Sequence, residues 1–218
     1  MSDATPPTVR HPLFARFYAR LRPCMDAHGG AERRQRLLAG LAGDVVEVGA
    51  GDGANFAHYP STVTSVLAVE PEPYLRERAV AAAGRAPVPV EVVDGVAERL
   101  PVGDAGVDAA VAALMLCSVG DQGVALAEMR RVVRPGGELR FVEHVQAPAG
   151  QPRMRRAQRL LDATVWPLLC GGCHCGRDTV AAVTAAGFVL DELERFTFPE
   201  GARLDPTSPC ALGRATRP

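Results

Sequence analysis

Lysine and isoleucine are absent from the chain. All 24 basic residues are arginine, and Ala, Val and Gly are abundant. That usage is the accent of a GC-rich genome, so arginine here does not by itself signal phosphate-seeking chemistry. Net charge is also missing: 24 basic against 25 acidic residues leaves −1, with no global field to draw in nucleic acid or an anionic membrane. No apolar run approaches the roughly 20 residues a membrane span needs, and the N-terminus lacks a signal-peptide core. These absences set the expectation of a soluble, cytoplasmic protein without integral membrane association, its six cysteines reduced thiols. No repeat or low-complexity linker divides the 218 residues, a length that suits one α/β domain with a proper core.

A phosphate-binding signature is lacking too. The run Val45-Val46-Glu47-Val48 stops in Gly49-Ala50-Gly51-Asp52-Gly53 with no Gly-Lys-Ser/Thr behind it, and its G-x-G-x-G spacing is not the dinucleotide G-x-G-x-x-G. Val45, Val46 and Val48 suit a strand buried on both faces, and the glycines permit tight turning and close approach of a ligand. A carboxylate inside the turn would repel phosphate. Glu47 and Asp52 therefore point to a nucleoside carrying positive charge and no phosphate, and S-adenosylmethionine, with its ammonium and sulfonium, is such a ligand. Residues 65–70 read as the next strand. Glu70 lies about twenty residues past the glycines, where an acid grips both ribose hydroxyls, and Pro71 helps end the strand.

Taken in order, residues 1–9 read as a loose tail. Leu13, Phe14, Phe17, Tyr18 and Leu21 recur at helical spacing, giving an amphipathic helix that can fold as a lid over the cofactor mouth with Tyr18 as its contact. A second helix spans 31–41, so that 1–43 forms tail and lid ahead of one globular domain at 44–218. Helices follow at 54–59, 73–83, 122–133, 152–169 and 179–186. Strands follow at 88–93, 107–116, 138–145, 188–195 and near 210–216, the last returning antiparallel. This alternation implies a doubly wound, Rossmann-like sheet, with ligands at its carboxyl edge, where Cys117 and His144 emerge. His58 reads as a surface or packing residue, and Arg153, Arg155, Arg156 and Arg159 read as a solvated face.

Glu47-Val48-Gly49-Ala50-Gly51, Glu70, Ala97-Glu98-Arg99-Leu100-Pro101 and Arg131-Val132-Val133-Arg134-Pro135-Gly136-Gly137 resemble the successive signatures of class I S-adenosylmethionine-dependent methyltransferases. A narrower likeness lies in Gly53-Ala54-Asn55-Phe56 with Tyr59-Pro60, Leu116-Cys117-Ser118-Val119, Phe141-Val142-Glu143-His144-Val145 and Gly172-Cys173-His174 with Arg177-Asp178. These look like the branch whose mammalian members are microsomal alkyl-thiol S-methyltransferases. The resemblance implies that Gly49, Ala50, Gly51 and Gly53 pass beneath the methionine moiety, with Glu47 and Asn55 beside its amine. Glu70 and Pro71 would meet the ribose, Val96, Ala97 and Glu98 would line the adenine, and Leu116 with Cys117 would floor the methyl-donor pocket. Two departures stand out. Val96 replaces an Asp that many relatives use for the adenine amine, leaving Asp94 or Glu98 to serve, and the membrane residence that an N-terminal hydrophobic anchor gives the mammalian members is not expected here.

The expected reaction is methyl transfer to a small-molecule acceptor, with S-adenosylhomocysteine as product. A thiol near pKa 8.5 asks for little beyond positioning and one mild base, whereas amines and phenols near 10 are far less ready. His144, at the end of a core strand, is the candidate base. Tyr18, Trp166 and Cys173 are the candidate acceptor-pocket residues. Cys170, Cys173, His174 and Cys175 crowd into six residues with no second C-x-x-C, which argues for a pocket-side turn and no metal. Carbon, nitrogen or oxygen methylation of a quinone, phospholipid head group or phenol stays open, as does a non-catalytic adenosylmethionine sensor or subunit. Monomer and homodimer are equally compatible with an exposed edge strand.

Overall fold

The computed structural model describes residues 10–218, so the tail expected at residues 1–9 lies outside the described residues. Seven strands form one sheet: β1 (Gly43–Val48), β2 (Val63–Val69), β3 (Val90–Val93), β4 (Val107–Ala113), β5 (Val133–His144), β6 (Val189–Thr197) and β7 (Pro209–Thr216). They run in the order β3-β2-β1-β4-β5-β7-β6. All pairings are parallel except those of β7, which is antiparallel to β5 and to β6. Helices α1 (Pro12–Met25), α2 (Ala31–Leu38), α3 (Pro73–Ala83), α4 (Gln122–Val132), α5 (Pro152–Asp162), α6 (Trp166–Leu169) and α7 (Thr179–Ala185) accompany the sheet.

Side-chain alternation divides β1 between two cores. Val46 and Val48 join Leu126 and Met129 of α4 and Val183 of α7, while Val45 joins Leu37 and Leu38 of α2 and Ala79 of α3. Each such valine contributes roughly 1.5–3 kcal/mol on burial, which explains why the central strands are apolar on both faces. Asp121 and Glu72 accept hydrogen bonds from the first amides of α4 and α3 and fix where those helices begin.

Several boundaries differ from expectation for local reasons. The helix expected at 54–59 is a single 3-10 turn, Phe56–His58, because Gly53 at φ +77° and Pro60 leave too few residues between them for an α-helical nucleus. The helix expected over 152–169 ends at Asp162 and resumes for one turn at Trp166, beside Pro167, whose ring has no N–H to give. β4 stops at Ala113 because Leu114 turns into the left-handed region at φ +56°. α1 buries Ala15 and Ala19, while Leu13, Phe17 and Leu21 remain exposed on its outer side. No helix among the described residues is long and apolar enough to cross a membrane.

Candidate active site

The glycine turn hangs from β2 by two bonds: Gly49 N and Ala50 N both donate to the Val69 carbonyl, at 2.8 and 3.1 Å. Gly49, Gly51 and Gly53 all have positive φ, but their surroundings differ. A Cβ on Gly49 would lie 2.7 Å from the Met115 side chain, and one on Gly53 2.7 Å from the Phe56 ring. One on Gly51 would meet only Tyr18, at 3.6 Å. The outer glycines are therefore packing requirements, and the middle one presents bare backbone to a side chain that can move.

Glu47 and Glu70 close the cradle from the strand ends. Glu70 Oε2 accepts from Gly51 N at 2.7 Å and Oε1 from Glu72 N at 2.9 Å, and burial raises its pKa. Glu47 is engaged at both oxygens: Asn55 Nδ2 donates to Oε1 at 2.9 Å and the Tyr59 hydroxyl to Oε2 at 2.7 Å. Asn55 Oδ1 accepts in turn from Arg34 Nη1 at 3.0 Å, so Glu47 is braced from α2. Arg34 and Tyr59 received no role from the sequence. Tyr59 stood in a quoted motif, but nothing local pairs it with a strand residue.

Burial outweighs those bonds and pushes the Glu47 carboxyl from 4.5 up to about 7. A carboxyl raised in the folded state binds its proton more tightly there, so its stabilising contribution is complete below pH 4.5 and is lost as pH climbs through 7. Glu47→Gln escapes that loss. Without ligand, its melting temperature relative to wild type is expected to rise by about 4–8 °C between about pH 5.5 and about pH 8, corresponding to roughly 2 kcal/mol. A difference that stays flat across those pH values would show that Glu47 titrates normally.

α1 lies across this edge through a stripe of residues at i, i+4 and i+8. Phe14 packs where a Cβ on Gly171 would stand, at 2.6 Å, Tyr18 covers Gly51, and Arg22 Nε donates to Asp52 Oδ2 at 2.7 Å. The second Asp52 oxygen is buried with no partner. Val96 and Ala97 are buried, and Glu98 is half-buried with its carboxylate near Gly120. Asp94 is exposed and accepts from Arg76 Nη1 at 3.0 Å, the same nitrogen that donates to the Pro71 carbonyl.

A second cluster of candidate site residues is built on the segment after β4. Just past Leu114, the amides of Met115, Leu116 and Cys117 all donate to Glu143, at 2.9, 2.8 and 3.2 Å. Consecutive amides forming an anion-binding concavity are thus satisfied internally. Arg177 adds bonds to the Leu116 and Val119 carbonyls at 2.9 and 2.7 Å, and His174 N donates to the Cys117 carbonyl at 2.8 Å. On this platform Cys117 and Leu116 are buried, and Cys117 Sγ lies 3.7 Å from His144 Nδ1. Cys173 Sγ reaches the same nitrogen at 3.5 Å. The close spacing of Cys170 to Cys175 had argued against a metal, but the fold parts them: Cys175 Sγ donates to Asp162 at 3.4 Å, and Cys173 joins residues of two other elements. Hydrogen bonding to Cys173, then burial, holds the Cys117 thiol well above its usual range. Trp166 opens α6, its indole N–H buried without a partner.

A methyltransferase-domain family matches residues 46–141. Thiol S-methyltransferase TMT1B of Rattus norvegicus is 32% identical over 185 residues, covering 83% of this chain and 74% of that one. This chain belongs to the class I S-adenosylmethionine-dependent methyltransferases. Thiol S-methyltransferase TMT1A of Homo sapiens is 34% identical over 167 residues, covering 74% of this methyltransferase and 67% of its own length. A solved S-adenosylmethionine-dependent methyltransferase of Thermotoga maritima, described as a possible histamine N-methyltransferase, shares the fold at a TM-score of 0.67 and 21% identity, with 94% of this chain and 98% of that one covered. The methyltransferase uses S-adenosylmethionine, and the turn fits it. Gly51 offers backbone without a side chain, and the unpartnered Asp52 oxygen offers a buried acceptor to a cationic ligand.

Proposed function

We propose that this methyltransferase methylates the sulfur of a small thiol. The observation that carries the reading is the wall of Cys117, His144 and Cys173 beyond the glycine turn, in a chain about one-third identical to enzymes named thiol S-methyltransferases. The carboxylates near that wall hold other partners: Glu143 three amides, Asp162 the amides of Cys175 and Gly176, and Asp205, which acts on His144 from farther off, the amide and hydroxyl of Thr207. An amine, phenol or carbon acid would need a strong base there, and a thiol does not. Bound S-adenosylmethionine supplies a methyl group on a sulfonium that is already a good leaving group, so the residues chiefly orient and desolvate.

In this reading Gly49, Ala50, Gly51 and Gly53 support the methionine moiety, Glu47 and Asn55 set the potential near its ammonium, and Glu70 with Pro71 meets the ribose. Val96, Ala97 and Glu98 border the adenine, and Leu116 with Cys117 floors the donor methyl. Tyr18, Trp166 and Cys173 bound the acceptor, and His144 favours its thiolate form. Six free cysteines among the described residues support a cytoplasmic setting.

Incubation with labelled cofactor and a panel of small thiols, amines and phenols tests the proposal. Thiols are expected to be methylated at least about 100-fold faster than amines or phenols of similar size, and His144→Ala is expected to slow thiol turnover about 100-fold at neutral pH. Equal turnover of a phenol or amine would overturn the assignment.

A further inference from the structure

The Cys117, His144 and Cys173 triangle has the dimensions of a metal site. In a tetrahedral zinc site, bonds of about 2.3 Å to sulfur and about 2.0–2.1 Å to nitrogen place sulfur and nitrogen ligands about 3.6 Å apart. The two sulfur-to-nitrogen distances here are 3.7 and 3.5 Å, and all three ligand atoms lie within 4.8 Å of one another. Both sulfurs converge on a single ring nitrogen, Nδ1, rather than one on each side of the imidazole. The imidazole nitrogen accepts well from one thiol, leaving the other to weak partners such as its neighbouring sulfur or the Ser118 hydroxyl at 3.6 Å, whereas a cation between the three atoms engages all of them.

The supports are rigid and independent of one another. Cys117 is held by the Glu143 carboxylate and by His174 N, and His144 closes β5 opposite Cys210 of β7. Cys173 follows Gly172, whose missing Cβ would stand 2.5 Å from the Ser118 carbonyl, so the two ligand-bearing loops are in backbone contact. Two thiolates and a divalent ion sum to zero charge, a set that a largely buried wall can hold. Among the described residues no fourth His, Cys, Asp or Glu joins the group. Three protein ligands with one position open are the pattern of a reactive zinc centre, not of a closed structural one.

The geometry points to a zinc-class divalent metal site at Cys117, His144 and Cys173, with the sulfur of the thiol acceptor taking its open fourth position. The second half rests on the thiol reading above. When the ion binds, the S–H bonds of Cys117 and Cys173 break and two protons go to solvent; when the acceptor binds, a metal–sulfur bond replaces the metal's bond to water, the acceptor's S–H bond breaks and its proton goes to solvent. Nothing is oxidised or reduced. His144 then favours the thiolate by holding the ion, and its role expected from sequence, that of a base, passes to the metal.

The test uses the full chain, purified with a phosphine reductant and no chelator. About one zinc per chain is expected, and the metal-free protein is expected to take up Co2+ with intense near-ultraviolet thiolate-to-cobalt absorption and the visible bands of a tetrahedral ion. Cys117→Ser and Cys173→Ser should each lose those bands, and Cys170→Ser should keep them. Circular dichroism and a cooperative thermal melt verify that each variant is folded. Addition of ethanethiol should shift the visible bands. Wild type that takes up no Co2+, a Cys117–Cys173 disulfide in place of metal, or bands lost only in Cys170→Ser would overturn the site. Bands indifferent to ethanethiol while thiols are methylated would overturn the acceptor ligation and leave the thiol reading standing. Bands that shift while no thiol is methylated would keep the site and defeat that reading.

Discussion

Glu70→Ala is expected to weaken adenosylmethionine binding by about 100- to 1,000-fold. Each carboxylate oxygen already accepts one short backbone bond and retains lone-pair capacity, and the group sits at the carboxyl end of β2 against the glycine turn. Charge-assisted bonds to two hydroxyls contribute about 1.5–3 kcal/mol apiece, and each 1.4 kcal/mol is about a tenfold change in affinity. The same substitution frees Gly51 N, so the turn loses its brace along with the proposed ribose contact. Glu70→Gln separates the two effects: it can accept from one amide and donate to one hydroxyl, and should fall between alanine and wild type. Isothermal calorimetry reads both, and an alanine variant within about threefold of wild type would remove Glu70 from the cofactor site.

The second large effect is on stability. Glu143→Ala strips the acceptor from three consecutive buried amides, each costing about 1–3 kcal/mol when left unmade. Partial relaxation of residues 114–119 reduces the sum, and a loss of about 4 kcal/mol is expected, or roughly 8–16 °C in melting temperature for a chain of this size. Aspartate is too short to reach all three amides and should recover only part of the loss. Calorimetric melting measures the series, and an alanine variant melting within about 2 °C of wild type would show that the amides find other partners.

These two acids also mark how far the sequence can be read. The place of Glu70 at the end of β2, against the glycine turn, was legible because strand ends and glycine turns are local facts, as are the periodicities that set the sheet and most helices. Glu143 was not: adjacent to His144 at a strand exit, it reads as an acid offered to ligand, and only the fold turns it inward onto the amides after Leu114. The Cys117, His144 and Cys173 triangle was hidden for a related reason. Its members sit on three elements, and the visible crowd of cysteines at 170–175 is divided once Cys175 turns to Asp162. The lid was legible as a helix, yet a pattern of five apolar residues could not say that Phe14 and Tyr18 would pack while Leu13, Phe17 and Leu21 stayed outside.

The contacts of α1 carry a consequence for traffic through the enzyme. Phe14, Tyr18 and Arg22 are rungs of one rigid ladder, joined to the body through a kink at His28 and Gly29. A swing of α1 about that kink would lift Tyr18 from Gly51 and Phe14 from Gly171 together, so the glycine turn and the loop at Gly171 would be uncovered in one motion.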